Sequence, residues 1–349
     1  MSRTVMPRVC TIIAALLASL AAAAFPARAD EVADFYKGKV VTITVSAGAG
    51  GGYDTLARTL ARFLGRHVPG EPIAIVRNMA GGGGLAAANF IYAGAEKDGR
   101  QIGLLQNNAA FEPLLANREA RYDATKFGWL GTPSIETGLL AVWNTSPVRS
   151  LEDAKQREIV VAAAGVNSPP AIYARLFNTV FGLRLKVQNG YPGQTEAFYA
   201  MEHGDIEGYA GVLYSALQVA KPDWLSQKKI TPLLYYGPDR RPEFGSLPYA
   251  TDIASREDDK LLLEASFAPL ALGRPLVMPP GVPPERLAAI RQALAATFAD
   301  PEFLAESKRL VLGADTPRRA EDIEAAIARV YALPQSVRER WQALHAASR

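Results

Sequence analysis

Short apolar runs alternate with helix-periodic runs along the first third of the chain. Val40 to Val45 is β-branched at every position, which predicts a fully buried strand. Thr55 to Leu64 places its apolar residues on one helical face, which predicts a helix. Further predicted elements are a strand over Ile73 to Val76, a helix over Leu85 to Ala95 and a strand over Gln101 to Leu105. Strand, loop and helix repeated in this order predict a parallel, doubly wound sheet.

The middle of the chain repeats this pattern. Predicted strands cover Leu139 to Trp143, Ile159 to Ala164, Leu185 to Val187 and Ile206 to Ala210, and predicted helices cover Ala171 to Phe181, Thr195 to Glu202 and Val212 to Ala220. Polar and glycine residues again gather where strands end and helices begin. We interpret this part as a second α/β lobe that faces the first lobe across a cleft, because ligands bind beyond the carboxyl ends of such strands.

The last part of the chain is predicted to be mainly helical. A strand is expected over Pro269 to Met278, and a proline-rich turn then leads into the first of three helices. These helices are predicted over Arg286 to Phe298, Glu302 to Leu310 and Arg319 to Tyr331. We expect them to pack around the first lobe.

The first 29 residues have the pattern of a secretory signal peptide. Arg3 and Arg8 precede an apolar run from Ile12 to Ala24, and Ala27-Arg28-Ala29 is an Ala-x-Ala cleavage site. The alternative is a membrane anchor, but the run is short for a span and the cleavage site follows directly. We therefore predict export to the periplasm with cleavage after Ala29. The only cysteine, Cys10, lies in this leader, so the mature chain has no disulfide.

Charge and length narrow the class of protein further. The whole chain has 38 basic and 35 acidic residues, and the leader supplies three arginines and no acid, which leaves 35 of each. This balance gives no electrostatic support for a nucleic-acid partner. The mature chain of about 320 residues is long enough for two domains.

A glycine-rich loop follows the first strand and leads into the first helix. Gly48, Gly50, Gly51 and Gly52 lie in this loop, and such a loop before a helix N-terminus can hold an anion through backbone N–H groups. The spacing fits neither a dinucleotide fingerprint nor a P-loop, because Tyr53 replaces the third glycine and no lysine lies between Lys39 and Lys97. A turn without a ligand is the alternative.

The sequence offers little catalytic chemistry. The three histidines, His67, His203 and His345, are scattered without metal-ligand spacing, and no Gly-x-Ser-x-Gly motif occurs. Asp54 is by default a helix-capping residue, and the Asn107-Asn108 and Asn167-Ser168 pairs are either turn formers or ligand contacts. Tyr191, Tyr209 and Tyr214 are expected more often as cleft wall or core than as specific contacts.

Several segments occur in an order and spacing that match one known family. They are the glycine-rich run within Lys39 to Arg58, Val76-Arg77-Asn78-Met79-Ala80-Gly81-Gly82-Gly83-Gly84, Lys97-Asp98-Gly99, Tyr122-Asp123, Tyr191-Pro192-Gly193, Gly204-Asp205-Ile206-Glu207 and Pro279-Pro280-Gly281-Val282-Pro283. This ordered set covers essentially the whole mature chain. It resembles the Bug family, the periplasmic substrate-binding receptors of tripartite tricarboxylate transporters.

The resemblance implies an α/β, two-lobe periplasmic binding protein fold of type II, in which each lobe is a doubly wound sheet. Lobe I is then expected over residues 30–132 and 258–349, and lobe II over 133–257. The implied protein is a monomeric receptor, not an enzyme, without cofactor or metal. It carries a small organic acid to the membrane subunits of the transporter.

In the family, the first glycine loop and a loop of the second lobe grip the ligand through backbone groups and bridging waters. Carried to this chain, the candidate ligand-binding residues are Ser46, Gly51, Gly52, Tyr53, Asp54, Asn78 and Asn107 in lobe I, and Asn167, Ser168, Tyr191, Gln194, Gly211 and Tyr214 in lobe II. Family receptors for amino acids tend to have an acid near the position of Gly211. Its absence here favours an organic acid without an ammonium group.

Two other functions use the same cleft. A periplasmic hydrolase would use Asp54 or Glu207 as its catalytic carboxylate. A ligand sensor would present its closed form to a membrane kinase. Turnover of the solute separates the hydrolase from a receptor, and gene neighbourhood separates the sensor from a transport receptor.

Overall fold

The computed structural model describes residues 31–346. The predicted signal peptide, its cleavage site after Ala29 and Cys10 lie outside these residues. A short helix, α1, covers residues 31–36, and the chain then builds two separate mixed sheets that are surrounded by helices. None of the helices within residues 31–346 combines the length and the apolar character that a membrane span needs.

The first sheet is formed by two distant parts of the sequence. Its strands are β1 (Val40–Val45), β2 (Ile73–Asn78), β3 (Gln101–Leu104), β4 (Gly128–Thr132), β10 (Leu276–Met278) and β11 (Arg318–Arg319). Their order in the sheet is β2-β1-β3-β10-β4-β11. The strands β2, β1 and β3 run parallel, whereas β10 is antiparallel to both of its neighbours.

The second sheet lies wholly within the middle of the chain. Its strands are β5 (Gly138–Trp143), β6 (Ile159–Ala163), β7 (Leu185–Asn189), β8 (Gly208–Leu213) and β9 (Ile230–Tyr236), in the order β7-β6-β8-β5-β9. The strands β7, β6 and β8 are parallel, and β5 is antiparallel to both β8 and β9.

The two sheets have equivalent topologies. Each has three parallel strands at one side, then an antiparallel strand (β10 or β5), and then a further strand (β4 or β9); the first sheet adds β11 at its edge. This arrangement confirms the predicted two-lobe α/β fold. The strands from which a parallel sheet was predicted, β1, β2 and β3, are parallel, and each sheet also contains an antiparallel strand, β10 in the first and β5 in the second. The predicted lobe boundaries remain a prediction.

The helices connect and cover the sheets. They are α2 (Gly52–Leu64), α3 (Leu85–Asn89), α4 (Leu151–Gln156), α5 (Pro169–Phe181), α6 (Gln194–His203), α7 (Tyr214–Ala220), α8 (Glu257–Leu272), α9 (Pro284–Ala299), α10 (Pro301–Arg309), α11 (Ala320–Tyr331) and α12 (Gln335–Ala346). The predicted strand over Pro269 to Met278 was wrong in its first part, because Pro269 lies inside α8 and only Leu276–Met278 is a strand.

Aromatic packing joins the second sheet to α8. The rings of Tyr236 on β9 and Phe267 on α8 have centroids 4.6 Å apart, and Tyr173 of α5 lies 4.9 Å from Tyr236. Phe111, after β3, contacts Trp341 of α12 at a ring-centroid distance of 6.0 Å. These contacts fix α8 and α12 at the back of the space between the two sheets.

Candidate functional site

A cleft of about 760 Å³ lies between the two sheets. On the first sheet it is lined by residues that follow the parallel strands, namely Ser46 after β1, the glycine loop 81–84 after β2, and Gln106 to Asn108 after β3. On the second sheet it is lined by Asn167 and Ser168 after β6, Gln194 after β7, and Gly211 within β8. The carboxyl ends of parallel strands from both sheets therefore meet at one cavity, as expected for this type of fold.

Six of the residues predicted as ligand contacts line this cleft: Ser46, Asn107, Asn167, Ser168, Gln194 and Gly211. The other seven lie outside its lining: Gly51, Gly52, Tyr53, Asp54, Asn78, Tyr191 and Tyr214. The structure thus brings together the residues at the ends of β1, β3, β6 and β8, and it places the first glycine loop beside the cleft. Ligand contact itself stays a prediction for all thirteen.

Asp54 stabilises the first glycine loop from inside. Its carboxylate accepts hydrogen bonds from Gly50 N–H at 2.8 Å, from Arg58 Nε at 3.0 Å and from Asn78 Nδ2 at 2.9 Å. Asn78 Nδ2 also donates to the carbonyl of Ala47 at 3.1 Å. The hydrogen bond from Arg58, followed by those from Gly50 and Asn78, lowers the pKa of Asp54 to about 2. The side chains of Asp54 and Asn78 therefore stabilise the first glycine loop through hydrogen bonds.

The remaining residues of the first glycine loop lie toward the junction of the two sheets. The Tyr53 hydroxyl donates to the carbonyl of Gly273 at 3.4 Å, and burial raises the pKa of Tyr53 to about 12. The Arg274 guanidinium lies 5.7 Å from the centre of the Tyr53 ring and also lies next to Gly52. Gly51 is exposed at the N-terminus of α2.

The two tyrosines predicted near the second lobe's loops contact their own lobe. Gln188 Nε2 donates to the Tyr191 hydroxyl at 2.7 Å, and the Tyr214 ring packs edge-on against Phe244 at 4.9 Å. Tyr209, in contrast, lines the cleft and is 6% exposed. The general expectation that these tyrosines form wall or core thus agrees with the structure.

Close packing explains the glycine at position 211. A Cβ atom built on Gly211 would lie 2.6 Å from Cγ of Pro170, which belongs to the first turn of α5. Glycine here lets α5 approach β8 directly beneath the cleft. Because Pro169 and Pro170 occupy the first two positions of α5, this helix N-terminus presents no N–H group there.

Sequence analysis missed the residues that reach the cleft from distant elements. Glu112 follows β3, Glu136 lies between β4 and β5, and Trp341 and His345 come from α12. Glu112 accepts hydrogen bonds from the side-chain amides of Asn108 and Asn117, and Glu136 accepts one from the Ser215 hydroxyl at 2.7 Å. Burial raises the pKa of Glu136, and the Ser215 hydroxyl and the Arg274 charge act against this rise.

The cleft offers mainly uncharged hydrogen-bonding groups. No lysine or arginine of residues 31–346 lines it, and amide and hydroxyl side chains do. The glycine loop after β2 lines the cleft with Gly81, Gly83 and Gly84, and its residues Gly81 to Gly84 all have positive φ. The Gly84 N–H donates to the carbonyl of Gly81 at 2.9 Å within the loop. Within the described chain, no cluster of histidine, aspartate and glutamate is placed to hold a metal ion. The site is thus suited to binding a solute through neutral donors.

Comparison with solved structures identifies the fold. A TctC solute-binding protein from Polaromonas aligns over 89% of this chain and 99% of its own, with 19% identity and a TM-score of 0.67. The R. palustris protein Rpa4515 with adipate aligns over 89% and 97%, with 21% identity and a TM-score of 0.57. MatC from Rhodopseudomonas palustris with bound malate aligns over 88% and 99%, with 20% identity and a TM-score of 0.56.

Neither a protein-family model nor a curated protein matches the sequence. The fold is that of the two-lobe solute-binding proteins in this comparison. More specifically, the chain has the fold of the TctC and Bug proteins, the solute-binding proteins of tripartite tricarboxylate transporters. The resemblance seen in the sequence is thereby confirmed at the level of the fold.

Proposed function

We propose that this chain is a periplasmic receptor that captures a small organic acid and delivers it to a tripartite tricarboxylate transporter. The observation that carries the proposal is the cleft itself, in which amide and hydroxyl side chains from both sheets converge beside the glycine loop after β2. Such groups suit a carboxylate without a basic side chain. The adipate and malate in two proteins of the same fold support this class of solute.

The receptor has two lobes, residues 30–132 with 258–349 and residues 133–257, and it closes on its solute by a hinge motion. Contacts made only in the closed form would drive this motion, because a ligand shifts an equilibrium by its difference in affinity for the two states. The receptor acts as a monomer in the periplasm after cleavage at Ala29. It needs no cofactor.

A hydrolytic function finds no support in the two carboxylates proposed for it. Asp54 accepts three internal hydrogen bonds and lies outside the lining of the cleft. Glu207 also lies outside that lining, and it accepts hydrogen bonds from Arg157 Nη1 at 2.6 Å and from the Ser146 hydroxyl at 3.2 Å. Neither carboxylate is placed to act on a solute in the cleft.

A thermal-shift screen of the protein beginning at Asp30 tests the proposed function. Organic acids, amino acids and sugars are compared, and we expect at least one carboxylate to raise the melting temperature. A ligand at 100 times its dissociation constant stabilises the folded state by about 2.7 kcal/mol, which is readily measured. The proposal would be contradicted if only sugars raised the melting temperature, or if no carboxylate in a broad panel did.

A further inference from the structure

Several polar side chains that line the cleft are already hydrogen-bonded within the protein. The hydroxyls of Ser46 and Ser168 donate to the backbone carbonyls of Leu104 and Gly165. The side-chain amide of Gln194 exchanges two hydrogen bonds with the backbone at the end of β8. A donor on the cleft wall that lacks such a bond is therefore better placed to bind a solute.

Two tyrosines on the cleft wall have such a donor. Tyr173 of α5 and Tyr209 of β8 both line the cleft, and each is 6% exposed. Neither hydroxyl has a hydrogen-bond partner among residues 31–346, and neither hydroxyl oxygen is fully enclosed by protein. Both hydroxyls are therefore nearly buried donors that remain accessible to a solute in the cleft.

Tyrosine hydroxyls that are sealed inside this protein are paired. Tyr36 and Tyr236 have no exposed surface, and their hydroxyls donate to backbone carbonyls at 2.8 Å and 2.7 Å. They follow the rule that buried polar groups are hydrogen-bonded. Tyr173 and Tyr209 depart from this rule at the wall of the cleft, so their partners are molecules that occupy the cleft.

Tyr173 and Tyr209 lie close to the same third tyrosine, Tyr236. The rings of Tyr173 and Tyr236 have centroids 4.9 Å apart, and the Tyr236 hydroxyl donates to the carbonyl of Ala210, the residue next to Tyr209. Burial raises the pKa of Tyr236 well above its ordinary value, and the nearby Tyr173 and Tyr209 raise it further. The two unbonded hydroxyls are therefore placed on the same part of the wall, as two donors to one group require.

Both hydroxyls keep their proton at neutral pH. Burial, with a smaller contribution from the Glu196 charge, raises the pKa of Tyr209 to about 12. Burial also raises the pKa of Tyr173. A neutral phenol donates its O–H to an anion, and hydrogen bonds of this kind are short and strong because the acceptor is charged. Such donors matter here because no lysine or arginine of residues 31–346 lines the cleft.

The wall that belongs to the first sheet has unbonded amides instead. The side chains of Gln106 and Asn107, directly after β3, line the cleft and make no hydrogen bond within the described part of the chain. Amides donate and accept equally well, so they suit neutral polar groups of a solute as well as an anion. The stronger donors for an anion are the two phenols.

We infer that Tyr173 and Tyr209 form the carboxylate subsite of the cleft, in which each hydroxyl donates one hydrogen bond to the carboxylate of the solute. This inference rests on the proposed function and adds to it the two residues that bind the anion. Neither residue was expected from the sequence to make a specific contact.

Calorimetric titration of the protein beginning at Asp30 with acetate, malate and adipate tests the inference. For each of these acids that binds, Tyr173→Phe and Tyr209→Phe should each lower the affinity by about tenfold or more, because each removes one hydrogen bond to a charged group. If none of the three binds but another carboxylate of the thermal-shift screen does, the same losses are expected with that acid.

Tyr235→Phe is the matched control. Tyr235 lies on β9 of the same sheet and is 5% exposed, and its hydroxyl also lacks a hydrogen-bond partner in the described chain, but it does not line the cleft. Its replacement should change the affinity by less than about twofold. Since Tyr173→Phe and Tyr209→Phe remove no hydrogen bond within the protein, they should unfold at the same urea concentration as the unmodified chain. Tyr236→Phe, which removes the bond to Ala210, should unfold at a lower one.

Equal binding of a carboxylate by the unmodified protein and both cleft variants would overturn the inference and leave the proposed function standing. A loss of affinity with Gln106→Met but with neither tyrosine variant would place the carboxylate on the first sheet and also overturn it. Urea unfolding of Tyr173→Phe and Tyr209→Phe at the concentration found for Tyr236→Phe would show a structural role instead. If no carboxylate binds at all, both the inference and the proposed function fail.

Discussion

Replacing Gly273 by alanine is expected to destabilise the protein by roughly 3–5 kcal/mol, from backbone strain and overpacking together. Gly273 ends α8 with φ 56° and ψ −100°, a conformation that other residues rarely adopt. A Cβ atom there would lie 1.9 Å from the carbonyl oxygen of Ser134. Because this oxygen belongs to the backbone of the β4–β5 connection, it cannot rotate away.

Gly245→Ala is the matched control for this substitution. Gly245 has φ 54° and ψ −117°, close to the values of Gly273, and a Cβ atom on it would meet nothing within 4 Å. Gly245→Ala should therefore lower the free energy of unfolding only through backbone strain, by roughly 1–2 kcal/mol. Urea unfolding of both variants measures the difference. Equal losses of stability would show that the contact with Ser134 is not decisive.

Asp54→Ala is expected to lower the free energy of unfolding by roughly 2–3 kcal/mol, because it leaves the donors around the first glycine loop without an acceptor. The carboxylate side chain is 5% exposed and accepts from Gly50, Arg58 and Asn78. The control is Asp258→Ala in the first turn of α8, where the carboxylate has no hydrogen-bond partner among residues 31–346. If both variants unfold at the same urea concentration, the network around Asp54 contributes nothing.

The same carboxylate predicts how stability changes with acid. The folded-state pKa of Asp54 is lowered to about 2, whereas the pKa of an aspartate in an unfolded chain is about 3.9. The stabilisation is therefore fully present above about pH 4 and is lost as the pH falls toward about 2. Asp54→Ala lacks this contribution, so its unfolding free energy should fall less steeply than that of the unmodified protein across this interval. Parallel curves would contradict this account.

Elements with a strong local pattern could be predicted from the sequence. The β-branched run Val40–Val45 has its predicted bounds, and its residues Val41, Ile43 and Val45 are buried. The strand β9 was missed because Pro232 interrupts its apolar run, and β4 was missed because two of its five residues are glycine. Buried residues occur all around α8, so this helix lacks the one-sided pattern on which helix prediction depends.

The candidate site could be predicted only in part, for a related reason. Residues at the ends of parallel strands converge because of the sheet topology, so Asn107, Asn167 and Gln194 could be expected at one cleft. Trp341 reaches the same cleft only because α12 packs across the molecule, with Gln342 donating to the carbonyl of Leu114 at 2.6 Å. No local pattern encodes a contact between residues so far apart in sequence.

The measurement that tests the central claim most directly is a calorimetric titration of the protein beginning at Asp30 with the carboxylate that gives the largest thermal shift. We expect one solute per chain, recovered chemically unchanged. Asn107→Trp places a large ring in the cleft and should abolish binding, whereas Gln156→Trp at the exposed end of α4 should leave it intact. Conversion of the solute, or equal binding by Asn107→Trp, would contradict a receptor that binds its solute in this cleft.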